Sequence, residues 1–292
     1  MPSILVKAAE KAASQPPILS LSCRSLAVLG DTHGYPQATR FFLEELSEES
    51  DCMVILGDTV DRGPASVENL ELIAGAMVEY DNIYLLRGNH ESLFMNKWYG
   101  FYDEALEKRG KKYLVEANEL YINLPVAAVW RELFLAHGGI PCKACRNLPE
   151  LPFGLVELQE HLSGVKGTPR ASEPSDPVMF QLLWNDPDPD LDWFSPSIRG
   201  GNSFYYGFRA WRSFLEANGL YAIVRAHETV DGAIVYTGSR GTINMLRHKT
   251  PLRLERIRGS VITVFSSFYH GMRAAALRVD NGLVEAVKIP RP

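Results

Sequence analysis

The stretch that decides the fold is LLRGNHESLFMNKWYGFYDE, residues 85–104. An apolar run, Ile83 to Leu86, stops abruptly at Arg87-Gly88-Asn89-His90-Glu91, and a helix-like segment follows. A buried strand that ends in glycine and then in metal-binding and acid–base residue types is how an α/β enzyme presents chemistry at a strand's carboxyl end. Asn89 offers an amide oxygen to a hard cation. His90 carries the one side chain that ordinarily titrates near neutral pH.

Two similar strand ends precede it. Residues 25–30 (SLAVLG) run into Asp31-Thr32-His33-Gly34, and residues 52–57 (CMVILG) run into Asp58-Thr59-Val60-Asp61-Arg62-Gly63. Apolar-faced segments, 36–50 and 64–80, separate the three strands and read as helices, with Pro64 suited to a first turn. The first ninety residues are therefore β-α-β-α-β, which favours parallel strand pairs with helices packed on them. Further on, 103–117 reads as one helix, 133–136 (LFLA) as a strand ending in His137-Gly138-Gly139, 164–177 as a loop, and 211–218 as a helix. Residues 221–226 form a strand ending at His227, and 275–289 a hairpin turning at Asp280-Asn281-Gly282. The expected class is mixed α/β, with more antiparallel strands in the second half and one catalytic domain over 1–292. Residues 1–24 would be a helical and extended extension.

The five strand ends pool Asp31, His33, Asp58, Asn89, His137 and His227. Two carboxylates, one amide and three imidazoles are too many for one zinc, and the imidazoles argue against calcium or magnesium alone. A pair of first-row divalent ions fits, with Asp58, on the middle strand, as the natural bridge.

Composition sets limits. The chain has 292 residues, 46% hydrophobic and 22% charged, with net charge −5, so nothing global points to nucleic acid or an acidic membrane. No eighteen-residue apolar run is present. Four cysteines are too few for a disulfide scaffold and suggest free thiols in a reducing, cytoplasmic interior. Cys142 and Cys145 have C-x2-C spacing without a second pair to complete a zinc site. Residues 240–258 carry six Arg or Lys against one Glu and read as a basic loop insertion that could dock an acidic regulatory protein.

GDTHG, GDTVDRG, LLRGNHE with YGFYDE, HGG, LLWNDP and RAHE, in this order, resemble the phosphoprotein phosphatase family of metal-dependent serine/threonine phosphatases, from about Ala27 to Phe265. The resemblance implies a β-sandwich flanked by helices, with a dinuclear site at one edge. It implies metal ligands at Asp31, His33, Asp58, Asn89, His137 and His227, and phosphate-binding arginines at Arg62 and Arg199. An acid pair, Asp61 with His90, and substrate contacts at Tyr99 and Tyr269 complete the implied set. The implied cofactors are two divalent ions, Mn2+ foremost with Fe or Zn as alternatives. The implied reaction is in-line attack of a metal-bridging hydroxide on phosphoserine or phosphothreonine in protein substrates. Related enzymes that split dinucleoside polyphosphates or small phosphate esters, with phosphotyrosine activity, are the alternative. The sequence departs from the family at Ser266-Ser267-Phe268-Tyr269-His270, where the usual Ser-Ala-Pro-Asn-Tyr-Cys is one residue longer before the Tyr and ends in Cys. Arg87 has no assigned role beyond pairing with a carboxylate below the site.

Overall fold

The structure is a computed structural model, described here for residues 2–143, 145, 152–172, 175–238, 241–248 and 250–291. Two large mixed sheets face each other. The first has six strands in the order Leu252–Arg253, Leu283–Lys288, Ala275–Asp280, Leu26–Leu29, Cys52–Ile55, Ile83–Leu85. The second has seven, in the order Ile18–Leu21, Ala127–Trp130, Leu133–Ala136, Ala222–Arg225, Ser260–Val264, Ala233–Tyr236, Thr242–Asn244. Side chains alternate across each strand. Val28, Val54, Leu135, Val224 and Ile262 fill the space between the sheets. On the outer face of the first sheet, Leu29 and Ile55 pack against Leu5, Phe42, Leu70 and Leu114 of the helices. On the outer face of the second, Phe134 and Ile223 pack against Met179, Trp211 and Phe214.

Each sheet contains a run of three adjacent parallel strands. In one they are Leu26–Leu29, Cys52–Ile55 and Ile83–Leu85. In the other they are Leu133–Ala136, Ala222–Arg225 and Ser260–Val264. All six carboxyl ends come to one edge of the sandwich, and there the sheets touch. Asp31 forms an isolated bridge with Phe265, the Gly30 N–H donates to Ser266 Oγ (2.8 Å), and the Ser266 N–H donates to the Asp31 carbonyl (3.2 Å). A Cβ at Gly30 would sit 2.2 Å from the Val264 carbonyl oxygen, so only glycine permits this seam.

Several expectations are corrected. The expected helix over 103–117 is two, Phe101–Arg109 and Lys111–Asn123, because Gly110 takes φ 83° between them. The helix after Pro64 begins at Ser66, so Pro64 lies before it. The expected loop over 164–177 contains a helical turn, Pro169–Ser172, and ends at the start of helix Pro177–Trp184; residues 173 and 174 lie outside the described residues. The basic segment is only partly a loop: it also supplies the strands Thr242–Asn244 and Leu252–Arg253 and the 3-10 turn Leu254–Ile257, with residues 240 and 249 outside the described set. The first 24 residues give a helix, Ile4–Ala13, and the edge strand Ile18–Leu21. The cysteines pair, Cys23 with Cys52 and Cys142 with Cys145. The sequence hid the first pairing because strand Cys52–Ile55 starts beside the turn that holds Cys23. It also removes the cysteine-based case for a reducing interior. Among the described residues no helix is long and apolar enough to cross a membrane.

Candidate active site

The residues expected at the site meet in one place. A pocket of about 240 Å³ at the seam is lined by Asp31, His33, Asp58, Asn89, His90, Arg62, Arg199 and His227, with Tyr99, Trp184 and His270 at its walls. His137 lies buried beneath it.

Asp58 stands between two groups of ligating atoms: one with His33 and His90, the other with His137 and His227. Its Oδ2 is 3.7 Å from His33 Nε2 and its Oδ1 is 3.3 Å from His137 Nε2. Backbone carbonyls set the tautomers. His33 Nδ1 bonds Val60 O (3.0 Å) and His137 Nδ1 bonds Leu56 O (2.9 Å), so each Nε2 carries its lone pair into the site. His137 Nε2 also lies 2.9 Å from Asn89 Oδ1, which is another acceptor. His227 Nε2 is buried with no protein partner.

The electrostatics agree for His33 and His227; at His137 burial is outweighed by the Asp58 carboxylate, which raises the imidazole above its ordinary value. Burial, and then the Asp58 carboxylate, push the Asp31 carboxyl up to about 7. Burial resists ionisation of Asp58 too, but His137 above all, with His90, outweighs it and holds Asp58 well below the usual carboxylate range. Burial, with His90 beside it, lowers His33 to about 3; burial and Arg199 hold His227 far below its ordinary value. Both imidazoles are therefore neutral, the form that binds metal. Converging acceptors, crowded carboxylates and an orphaned Nε2 form a donor set that cations would satisfy, and its nitrogen–oxygen mix suits first-row divalent ions.

Beside this set stands an acid–base pair. His90 Nδ1 contacts Asp61 Oδ2 at 2.7 Å, and both are fully buried. The Asp61 carboxylate also accepts from Asn96 Nδ2 (2.8 Å) and the Phe101 N–H (3.0 Å). This explains why the opening stretch runs on to Glu104. The Tyr99 carbonyl accepts from the Arg62 N–H, and Glu104 accepts from the N–H groups of Ser66 and Val67, fixing the start of helix Ser66–Glu79. Ser66 Oγ in turn accepts from the Asp61 N–H.

Two arginines face the same pocket. Arg62 has a buried Nε without a protein partner and lies 4.8 Å from the Tyr99 ring and 5.4 Å from the Tyr269 ring. Arg199 Nε is held by Asp186 Oδ2, and Asp186 Oδ1 accepts from the buried Arg225 at 2.6 Å. Tyr269 also tilts against the His33 ring at 6.5 Å, and His270 packs on Tyr269.

The backbone records the same constraint. Of the seven non-glycine residues with positive φ among those described, five are His33, Asp58, Asp61, Arg62 and His227. Each such conformation costs on the order of 1–3 kcal/mol and persists only where surrounding contacts enforce it. Glu91 is one enforcer: it accepts from the N–H groups of Gly88, Asp58 and Thr59 and from Thr59 Oγ1, tying two strand ends to one carboxylate. Among the described residues Arg87 pairs with no carboxylate. It donates to the Glu91 carbonyl through Nε and Nη2 (3.2 and 3.0 Å). Burial lowers it to about 10, so it stays charged at neutral pH.

A profile of the calcineurin-like phosphoesterase family matches residues 24–231, most of the chain. The chain belongs to that family. Its fold is shared by a protein serine/threonine phosphatase from Saccharomyces cerevisiae with similarity to human phosphatase PP5, at TM-score 0.75 and 24% identity over 99% of this chain and 88% of that one. A cold-active protein-tyrosine phosphatase of a psychrophile Shewanella sp. follows at TM-score 0.61 and 17% identity, over 96% and 84%. A metallophosphoesterase from Sphaerobacter thermophilus aligns at TM-score 0.51 and 12% identity, over 92% and 89%. As a member of this family the chain is a phosphoesterase of the divalent-metal type.

Proposed function

We propose that this phosphoesterase hydrolyses phosphoserine and phosphothreonine in proteins, with two divalent cations held by Asp31, His33, Asp58, Asn89, His137 and His227. The observation that carries the proposal is the His90–Asp61 contact, buried and open on one side to a pocket that also presents Arg62 and Arg199. When bound, the cations supply Lewis acidity and a water acid enough to react near neutral pH.

The chain's own residues do the rest. A phosphate monoester dianion repels an anionic nucleophile, so positive charge must meet its oxygens. Arginine's planar fork suits them bidentately. Arg62 brings an unpartnered Nε, and Arg199, held by Asp186 through Nε, keeps its two terminal nitrogens for phosphate. Asp186 thereby orients Arg199, while Arg225 fixes Asp186 from behind. A serine or threonine alkoxide is a poor leaving group and needs a proton. His90 can give one from Nε2, because Asp61 holds Nδ1 and leaves the other ring nitrogen for the leaving group. Tyr99 and Tyr269 flank Arg62, where a substrate held by that arginine would meet them.

We treat 1–292 as one catalytic unit. The support is that hairpin Ala275–Lys288, beyond the family match, pairs with Leu26–Leu29 inside the first sheet.

The test is a panel of substrates with Mn2+-loaded protein: a phosphothreonine peptide, a phosphotyrosine peptide, a dinucleoside polyphosphate and a phosphodiester. The phosphothreonine peptide should be the best substrate. Hydrolysis of the dinucleotide without the peptide would overturn the reading in favour of a small-ester phosphoesterase.

A further inference from the structure

The C-x2-C pair has no part in the chemistry above, yet both cysteines touch a helix whose end lines the catalytic pocket. Cys142 is buried and Cys145 is part-exposed, with Cα atoms 5.2 Å apart and sulfurs joined. One buried amide brackets both. Gln181 Oε1 accepts from the Cys142 N–H (2.8 Å) and lies 3.4 Å from Cys142 Sγ; Gln181 Nε2 lies 3.7 Å from Cys145 Sγ. A reduced Cys142 thiol would find an acceptor at Oε1, so the same amide serves both redox states.

Gln181 belongs to helix Pro177–Trp184, and that helix is stitched to the site. Leu182 O accepts from the N–H groups of Gly138 and Gly139, directly after His137. Asn185 Nδ2 donates to the Ile140 carbonyl (2.8 Å), Trp184 lines the catalytic pocket, and Asp186 holds Arg199. From His137 to Cys142 the chain therefore runs along this helix end, fixed at three points.

We propose that Cys142 and Cys145 are a redox-active dithiol–disulfide pair that exchanges with small thiols and, through Gln181, adjusts the catalytic pocket. A thiolate of the small-thiol class attacks the sulfur of Cys145, the less buried of the two cysteines. The Cys142–Cys145 bond breaks, and Cys142 leaves as a thiolate and takes up a proton. A second small thiol attacks the mixed disulfide and releases Cys145 as a thiol and the small disulfide. Two electrons and two protons pass to the pair, and the small disulfide reverses the exchange. Reduction frees Cys142 and Cys145 from their covalent clasp, with Gln181 still bonded to the Cys142 N–H. The consequence for turnover rests on the phosphatase reading; the thiol chemistry does not.

The experiment uses the full chain with Cys23→Ser and Cys52→Ser, so that one pair remains. The protein is equilibrated across ratios of reduced to oxidised glutathione, then alkylated and weighed. A two-electron transition should appear. Mn2+ affinity by calorimetry and turnover of an aryl phosphate should each differ by about threefold or more between the two states, a change of about 0.6 kcal/mol. Gln181→Met should keep the exchange and lose most of that difference. Wild-type protein, alkylated under the same ratios and mapped by peptide mass, repeats the measurement without the substitutions. The proposal is overturned if the pair resists the thiol at every ratio, or if both states bind Mn2+ equally and turn over equally. Because calorimetry needs no turnover, an inactive protein whose two states differ in Mn2+ affinity upholds this proposal while sinking the phosphatase one.

Discussion

Asn89 and His90 are neighbours in sequence with separate work to do. Asn89 Oδ1 points at His137 Nε2 among the ligating atoms, whereas His90 turns its Nδ1 to Asp61. His90→Ala should therefore keep Mn2+ binding and lose turnover by about 10²–10⁴-fold on a phosphoserine peptide. The loss should be much smaller on an aryl phosphate, whose leaving group needs no proton. Equal losses on both would remove His90 from the acid role. Arg199→Ala should raise KM for phosphate esters by about ten- to a hundredfold, the worth of a charged hydrogen bond; an unchanged KM would argue against the clamp. Asp31, His33, Asp58, Asn89, His137 and Arg62 each stand beside a glycine after a strand, which marks them in the sequence; His227 has no such neighbour and was marked only by its place at a strand end. Asn96 and Gln181 gave no such signal. Each is a polar residue inside an ordinary helical run, and only burial shows that Asn96 braces Asp61. Asp186 lay in the quoted LLWNDP motif, yet its place between two arginines depends on residues far along the chain.

Among the described glycines the closest approach is at Gly63. A Cβ there would lie 2.0 Å from the His33 carbonyl oxygen, so the two loops that carry His33 and Arg62 close only over glycine. Gly63→Ala should destabilise the fold by about 1–3 kcal/mol as an overpacked site and weaken Mn2+ binding with it; thermal unfolding and metal titration would read both. The loop carrying Tyr269 and His270 is tethered differently. Arg273, just after it, donates to Asp231 Oδ1 at 2.7 Å, and this bond holds the Asp231 carboxyl down to about 2. A depressed carboxylate stabilises fully above its ordinary value of 3.8 and loses that contribution as pH falls through about 2. The stability difference between wild type and Asp231→Asn should therefore be largest near neutrality and shrink as pH falls through that window. A difference independent of pH would show that the carboxylate's charge is not what anchors the loop. Periodicity found the central strands and the Asn281-Gly282 turn, where both residues take positive φ. It missed the edge strand Ile18–Leu21, which follows two prolines, and merged two helices across Gly110.

At the scale of the whole molecule, metal and fold are linked. Ions that bind the folded chain alone should add about 2.7 kcal/mol for each site at a hundredfold excess over Kd. Mn2+ should raise the melting temperature and a chelator should reverse the gain. In Asp58→Asn, which alters the residue common to both ligand groups, most of that gain should vanish. The parallel β-α-β-α-β start was readable because its pairings are local. The return of Ala275–Asp280 to lie against Leu26–Leu29 was not, since nothing in either strand names its partner.

The seam at Gly30–Asp31 and Val264–Ser266 has a mechanical meaning. It is a clasp between two leaves, and the ligands sit on it, with Asp31 from one sheet and His227 from the other joined by a 3.0 Å hydrogen bond. Prying the leaves apart by a small amount separates the ligand groups while every helix and strand is still intact. Rising urea should therefore silence the enzyme at a lower concentration than it erases the far-ultraviolet signal. Amide exchange at Asp31 and Ser266 should report that opening before exchange in the strand centres does.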